Sequence, residues 1–98
     1  MWKSKYFQYS DPYISQAKAF EYLGENAILY PSTKKDKKYM IRKPNGTWVH
    51  FGQFPYEDYN KHRDDNRRRL YLTRTANMRG NWRNDPYSAN NLSRHILW

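Results

Sequence analysis

The chain has 98 residues, no cysteine, a formal net charge of +9 at pH 7 and a pI near 9.9. Its length predicts one domain, residues 1–98, and its lack of cysteine excludes a disulfide framework and a thiolate zinc site. No apolar stretch approaches the roughly 20 residues of a membrane span, and the N-terminus lacks the apolar run of a signal peptide. We therefore expect a soluble, intracellular protein with no membrane partner.

The net charge is confined to the middle of the chain. Residues 34–83 carry fourteen Lys or Arg against five Asp or Glu, whereas residues 1–33 carry three of each and residues 84–98 one of each. Confinement favours one face that binds a polyanion over a solvated surface that only maintains solubility. Aromatic residues alternate with these charges, and ring faces can stack on bases.

Residues 1–9 form an aromatic, weakly charged arm that contains Trp2, Tyr6, Phe7 and Tyr9. Such an arm could complete the sheet of its own chain or cross to a second subunit. A shared arm would produce a symmetric homodimer and double the basic face.

A helix is predicted next, because Ser10-Asp11-Pro12 combines a capping side chain with proline in the first turn, and Gly24 provides a stop. Residues 27–30 indicate either a short strand or a packed turn, and residues 32–37 a basic loop.

Residues 38–51 predict a β-hairpin around Asn45-Gly46, whose positive φ angles would suit a tight turn. Alternation places Tyr39 and Ile41 on one face. We expect Tyr39, Trp48 and Phe51 to lie mostly in the core, because aliphatic residues are scarce.

A second long helix is predicted from Asp64 or Asp65 to about Asn77, and a final short helix over residues 88–98. Tyr71, Thr75, Met78 and Trp82 share one stripe, which we expect to be buried. The predicted fold class is α+β: a small antiparallel sheet centred on one hairpin and packed with two or three helices.

The order of motifs over the last sixty residues is distinctive. The segments that carry it are Val49-His50-Phe51-Gly52, Tyr56-Glu57-Asp58-Tyr59, residues 67–74, residues 82–89 and residues 92–98. This succession resembles a family of small basic proteins of large nucleocytoplasmic DNA viruses, including marseilleviruses, phycodnaviruses and iridoviruses. The resemblance makes residues 37–98 the family-like basic core, and it implies a viral protein of the virion, present in host cytoplasm or nucleus during infection. It implies no reaction, and Arg74-Thr75 stands where relatives tend to have Arg-His.

Phosphate contacts are expected from basic side chains of the predicted hairpin, the loop before it and the long helix. The candidate nucleic-acid-binding residues are Lys34, Lys35, Lys37, Lys38, Arg42, Lys43, Arg67, Arg69 and Arg74.

Catalysis is not expected. His50, His62 and His95 are scattered, without the compact spacing of a ββα-metal nuclease. We expect His62 to cap or pair with Asp58 or Asp64, and His50 to pack on Trp48. The chain also lacks a phosphate-binding glycine loop and a nucleophile elbow, so no cofactor and no metal are predicted.

The sequence thus predicts a non-catalytic structural protein of a virus particle that binds nucleic acid, presumed to be viral DNA, without sequence specificity. The alternative is a capsid or internal virion assembly protein whose basic face binds acidic protein partners. A novel metal-dependent nuclease is the third hypothesis.

Overall fold

The computed structural model describes residues 2–98 and has the predicted α+β class. Its three strands form one antiparallel sheet in the order β1-β2-β3, and the described residues also form five α-helices. The elements are α1 (Ser4–Tyr9), α2 (Pro12–Leu23), β1 (Leu29–Pro31), β2 (Lys37–Arg42), β3 (Trp48–Gln53), α3 (Tyr59–His62), α4 (Asp65–Ala76), a 3₁₀ turn (Trp82–Asn84), α5 (Ala89–Leu92) and a π-helical turn (Ser93–Leu97).

The predicted start and end of α2 are confirmed. The Asp11 carboxylate accepts hydrogen bonds from the backbone N–H groups of Tyr13 at 3.0 Å and Ile14 at 3.2 Å, and Pro12 occupies the first turn. These bonds satisfy N–H groups that a helix start leaves without intrahelical partners. Gly24 follows with φ +99°, which ends the helix.

The hairpin is confirmed, but its turn differs from the expected one. Only Gly46 has a positive φ, +92°, so the prediction of two positive φ angles at Asn45-Gly46 was wrong. The Gly46 N–H donates to the Lys43 carbonyl, the Lys43 N–H donates to the Thr47 carbonyl, and the Asn45 side chain accepts from the Thr47 N–H. A three-residue loop with glycine in its last position therefore joins the strands, a common alternative to the two-residue turn.

The aromatic arm does not add a strand to the sheet. Met1 lies outside the described residues. Trp2 and Lys3 precede α1, which takes up the rest of the arm, and the Tyr6 side chain of α1 is buried against its own chain. The Tyr6 ring lies 5.2 Å from Phe54, and Trp2 lies 5.4 Å from Tyr39 between ring centroids. The arm thus covers the core beside the hairpin.

The C-terminal segment closes the other side of the core. Leu92, Ile96 and Leu97 are fully buried, while His95 is exposed and stacks on Tyr22 with centroids 4.2 Å apart. Hydrophobic packing therefore follows the apolar positions of the final helix.

Helix α4 lies at the edge of the fold. Of the stripe expected to be buried, Thr75 is buried but Met78 is 50% exposed. The helix is attached mainly to the C-terminal segment: Tyr71 stacks on Trp98 at 4.1 Å, and Arg94 Nη1 donates to Thr75 Oγ1 at 2.6 Å. One long side of α4 consequently remains open.

Lys38, predicted to be an exposed phosphate ligand, is instead a core residue with 2% exposure. Its ammonium group donates to Asp58 Oδ2 at 3.1 Å and to the Tyr9 carbonyl at 2.9 Å. Burial lowers the pKa of Lys38 and raises the pKa of Asp58, and their mutual attraction opposes both shifts. The cost of removing both charges from water therefore offsets much of their attraction. The pair affects stability mainly because the loss of either partner would leave an uncompensated charge in the interior.

Gly52 makes room for the Lys38 side chain. A Cβ atom at this position would lie 3.0 Å from both Lys38 Cβ and Leu97 Cδ1, and the backbone φ is +80°. Space and backbone conformation both require glycine.

The substitution Gly52→Ala should destabilise the fold more than Gly80→Ala. Both positions have positive φ, but a Cβ at Gly80 meets nothing within 4 Å. At Gly80 we expect the free energy of unfolding to fall by roughly 1–2 kcal/mol, from the backbone conformation alone. At Gly52 we expect it to fall by about 1–3 kcal/mol more, from overpacking. Urea unfolding of both variants measures the difference; equal losses would show that the packing at Gly52 adjusts freely.

The substitution Lys38→Met should reduce the free energy of unfolding by about 3–5 kcal/mol, because it leaves the Asp58 carboxylate buried without a counter-charge. The double variant Lys38→Met/Asp58→Asn should recover part of this loss, since no buried charge remains. Lys35→Met, at an exposed position, is the control and should stay within about 0.5 kcal/mol of the wild type. A double variant no more stable than Lys38→Met would refute the pairing argument.

Candidate nucleic-acid interface

Eight of the nine predicted phosphate ligands remain solvent-accessible once Lys38 is removed from the set. Five of them line two depressions near opposite ends of β2. Lys37 begins this strand and Arg42 ends it, so their α-carbons are separated by roughly 16 Å at the usual rise per residue. The basic residues therefore do not form one compact patch around the hairpin.

The first region is a groove of about 810 Å³ between α4 and the end of β3. The open side of α4 supplies Arg67, Leu70, Tyr71 and Arg74 to its lining, a spacing of three or four residues that corresponds to one helix face. Lys37 lines the groove from the sheet. Three accessible predicted ligands, from elements distant in sequence, thus meet around one depression, whose lining also includes Glu57.

Arg69 is not part of this arrangement. Its Nη2 donates to Asn66 Oδ1 on the same helix at 2.7 Å, and it is not among the side chains lining the groove. Consecutive arginines project in different directions from a helix, so Arg69 is separated from Arg67 and Arg74. Lys34 and Lys35 are exposed in the loop before β2.

The second region is a depression of about 620 Å³ beside the hairpin turn. Arg42 and Lys43 line it together with Trp48, Tyr30 and Tyr87. Here two basic side chains lie next to exposed aromatic rings.

Carboxylates neutralise few of the basic side chains. Over residues 2–98, the ion pairs within 4.0 Å are Lys38–Asp58 and Lys43–Asp85, the latter at 4.0 Å and partly exposed. The remaining predicted ligands in this part of the chain have no carboxylate at that distance, so their positive charge is available to an anion.

The histidines do not converge. His50 Nδ1 lies 2.7 Å from Ser32 Oγ, and His62 Nδ1 accepts a hydrogen bond from the backbone N–H of Asp64 at 3.0 Å. His50 is therefore held by Ser32, while its expected packing on Trp48 stays a prediction; the contact of His62 with Asp64 is present through the backbone. Within the described part of the chain, no three His, Asp or Glu side chains are grouped closely enough to hold a metal ion.

Sequence reasoning missed Trp48 as a surface residue. The prediction that it lies mostly in the core was wrong, because 41% of its surface is exposed, while Tyr39 and Phe51 are buried as expected. The alternation of side chains along β3 indicates this exposure, because it places Trp48 on the other face of the sheet from Val49 and Phe51.

Among residues 2–98, no helix has both the length and the apolar character required to cross a membrane.

Comparison with known proteins identifies a family but no activity. Residues 27–75, half of the chain, match the model of the family of unknown function DUF5754, so the chain belongs to that family. No curated protein and no solved structure matches it. The matched region contains the whole sheet, and all nine candidate phosphate ligands lie within it.

Proposed function

We propose that this DUF5754 member is a non-catalytic protein that binds nucleic acid without sequence specificity through exposed Lys and Arg side chains. The observation that carries the proposal is the shortage of neutralising carboxylates: among residues 2–98, only one of the eight accessible candidate ligands, Lys43, has a carboxylate within 4.0 Å. Phosphates would supply the missing negative charge and release bound counterions.

The spacing of the two regions favours an extended ligand. A separation of roughly 16 Å corresponds to about five nucleotides along one strand. A polynucleotide that contacts Lys37 and Arg74 at the groove and also Arg42 at the hairpin turn must pass around the sheet edge, because Lys37 and Arg42 lie five residues apart on one strand and face opposite sides of the sheet. Such contacts to phosphates hold the ligand without reading its sequence.

We also propose that the protein is a component of a virus particle and that its ligand is the viral genome. The support is the resemblance of residues 37–98 to small basic proteins of large DNA viruses. A homodimer through a shared aromatic arm stays a prediction; within the chain, Trp2 packs on Tyr39 and Tyr6 packs on Phe54.

A second candidate function is virion assembly through an acidic protein partner. The observation in its favour is the exposure of Leu70 (56%) and Met78 (50%) along the same groove that Arg67 and Arg74 line. Apolar side chains with a basic margin suit a protein segment that is both apolar and acidic.

Binding to a labelled random duplex, measured by fluorescence anisotropy, should weaken steeply with salt. Each lost phosphate contact should reduce the magnitude of the log–log slope by about 0.9, so Lys34→Gln/Lys35→Gln/Lys37→Gln should flatten it by up to about 2.7. The wild-type affinity should not depend on duplex sequence.

The control is Lys3→Gln/Lys61→Gln/Arg79→Gln, which removes the same charge from exposed positions outside the candidate set. It should change the slope much less than the first triple variant. Equal effects would indicate a diffuse charge effect, and absence of wild-type binding at about 50 mM salt, where phosphate contacts are strongest, would overturn the proposal.

The second candidate predicts a protein partner at the groove. Leu70→Ser/Met78→Ser should leave the free energy of unfolding within about 0.5 kcal/mol, because both side chains are exposed, and should not change duplex binding. A photo-crosslinking amino acid at Leu70 should then capture an acidic particle protein, whereas the same group at the exposed Tyr13 should not. Crosslinks to nucleic acid alone would favour the first function.

A further inference from the structure

The solvent-facing side of the sheet carries two adjacent rows of side chains. Strand pairing places Tyr30 opposite Met40 and Met40 opposite His50, and the next row places Arg42 opposite Trp48. These positions alternate with Leu29, Tyr39, Ile41, Val49 and Phe51, most of which are buried. We call the surface formed by Tyr30, Met40, Arg42, Trp48 and His50 the open sheet face.

Two large aromatic rings on this face remain accessible. Trp48 is 41% exposed and Tyr30 is 39% exposed. Their centroids are 5.6 Å apart with an interplanar angle of 81°, an edge-to-face arrangement that leaves a ring face unstacked. The 620 Å³ depression next to these rings is open to a ligand of comparable size.

The charge around the open sheet face is positive. Arg42 is part of it, and Lys43 lies in the adjoining depression. Partial burial, and to a smaller extent the nearby charges of Lys34 and Lys37, lower the pKa of His50. The complementary occupant is therefore an anion.

We propose that the open sheet face binds single-stranded nucleic acid, with unpaired bases stacked on Trp48 and Tyr30 and phosphates bound by Arg42 and Lys43. This inference rests on the proposed function and specifies its ligand. A ligand that matches rings as well as positive charge must carry accessible ring faces and phosphates together. Single strands expose both, whereas a duplex keeps its base faces within the stack, which is why stacking platforms beside basic side chains select single strands.

The test compares three labelled ligands by fluorescence anisotropy at one salt concentration. They are a single-stranded 12-mer of mixed sequence, a duplex of the same sequence, and a charge-matched abasic 12-mer that retains phosphates but has no bases. The wild-type protein should bind the single strand more tightly than the abasic strand, because only the single strand can stack.

The substitution Trp48→Ala should weaken single-strand binding by about 5- to 150-fold, the loss expected for one stacked base. Duplex and abasic-strand binding should change less than about twofold. Trp48→Phe retains a ring and should restore most of the affinity, which separates stacking from a general loss of structure. Tyr13→Ala, at a 70% exposed aromatic on α2, is the matched control and should bind all three ligands as the wild type does.

Equal weakening for all three ligands, or no change for the single strand, would overturn the stacking site while leaving phosphate binding intact. Failure of the wild type to bind any of the three would overturn the proposed function itself. Binding of poly-aspartate as tightly as the single strand, and with the same loss on Trp48→Ala, would assign the open sheet face to an acidic protein and also overturn the inference.

Discussion

The buried ion pair between Lys38 and Asp58 fixes how the elements of this small protein fit together. Lys38 belongs to β2, Asp58 immediately precedes α3, and the same ammonium group also binds the carbonyl of Tyr9 at the end of α1. The Asp58 backbone N–H donates to that carbonyl as well, at 3.2 Å. A charged pair tolerates little displacement in the interior, so these three elements are held in one arrangement. Gly52 permits it by leaving space beside Lys38.

Hydrogen bonds between neutral polar groups fix the packing of the core in the same way. The Tyr39 hydroxyl lies 2.7 Å from Ser10 Oγ and 3.4 Å from Ser15 Oγ, and Asn60 Nδ2 donates to Ser15 Oγ at 2.9 Å and to the Ile96 carbonyl at 2.8 Å. Buried polar atoms need such partners, and here each bond joins segments far apart in sequence. The network therefore compensates for the shortage of aliphatic residues by specifying which surfaces meet, rather than by adding apolar area.

Features that depend on residues close together in the sequence could be predicted, and features that depend on residues far apart in the sequence could not. The Asp11 cap, the hairpin and the start of α4 depend on neighbours within a few residues, and all three are where they were expected. The burial of Lys38 depends on Asp58, twenty residues away, and no local pattern reveals it. For Trp48 a local pattern is sufficient: alternation along β3 places it on the other face of the sheet from Phe51. The expectation from composition, that aromatic side chains fill the core, was wrong at this position.

The contrast between Lys38 and Trp48 bears on function. A chain poor in aliphatic residues would gain stability by burying a tryptophan, at about 25 cal/mol per Å² of apolar surface, yet it buries a lysine and leaves 41% of Trp48 exposed. Folding alone does not account for this distribution, because the Lys38 site requires a second buried charge while the Trp48 site has no covering element. The exposed ring instead lies beside Arg42, which has no carboxylate within 4.0 Å among residues 2–98, and Lys43, whose pair with Asp85 is long and partly exposed. Apolar surface and positive charge together suit a ligand that is both anionic and aromatic.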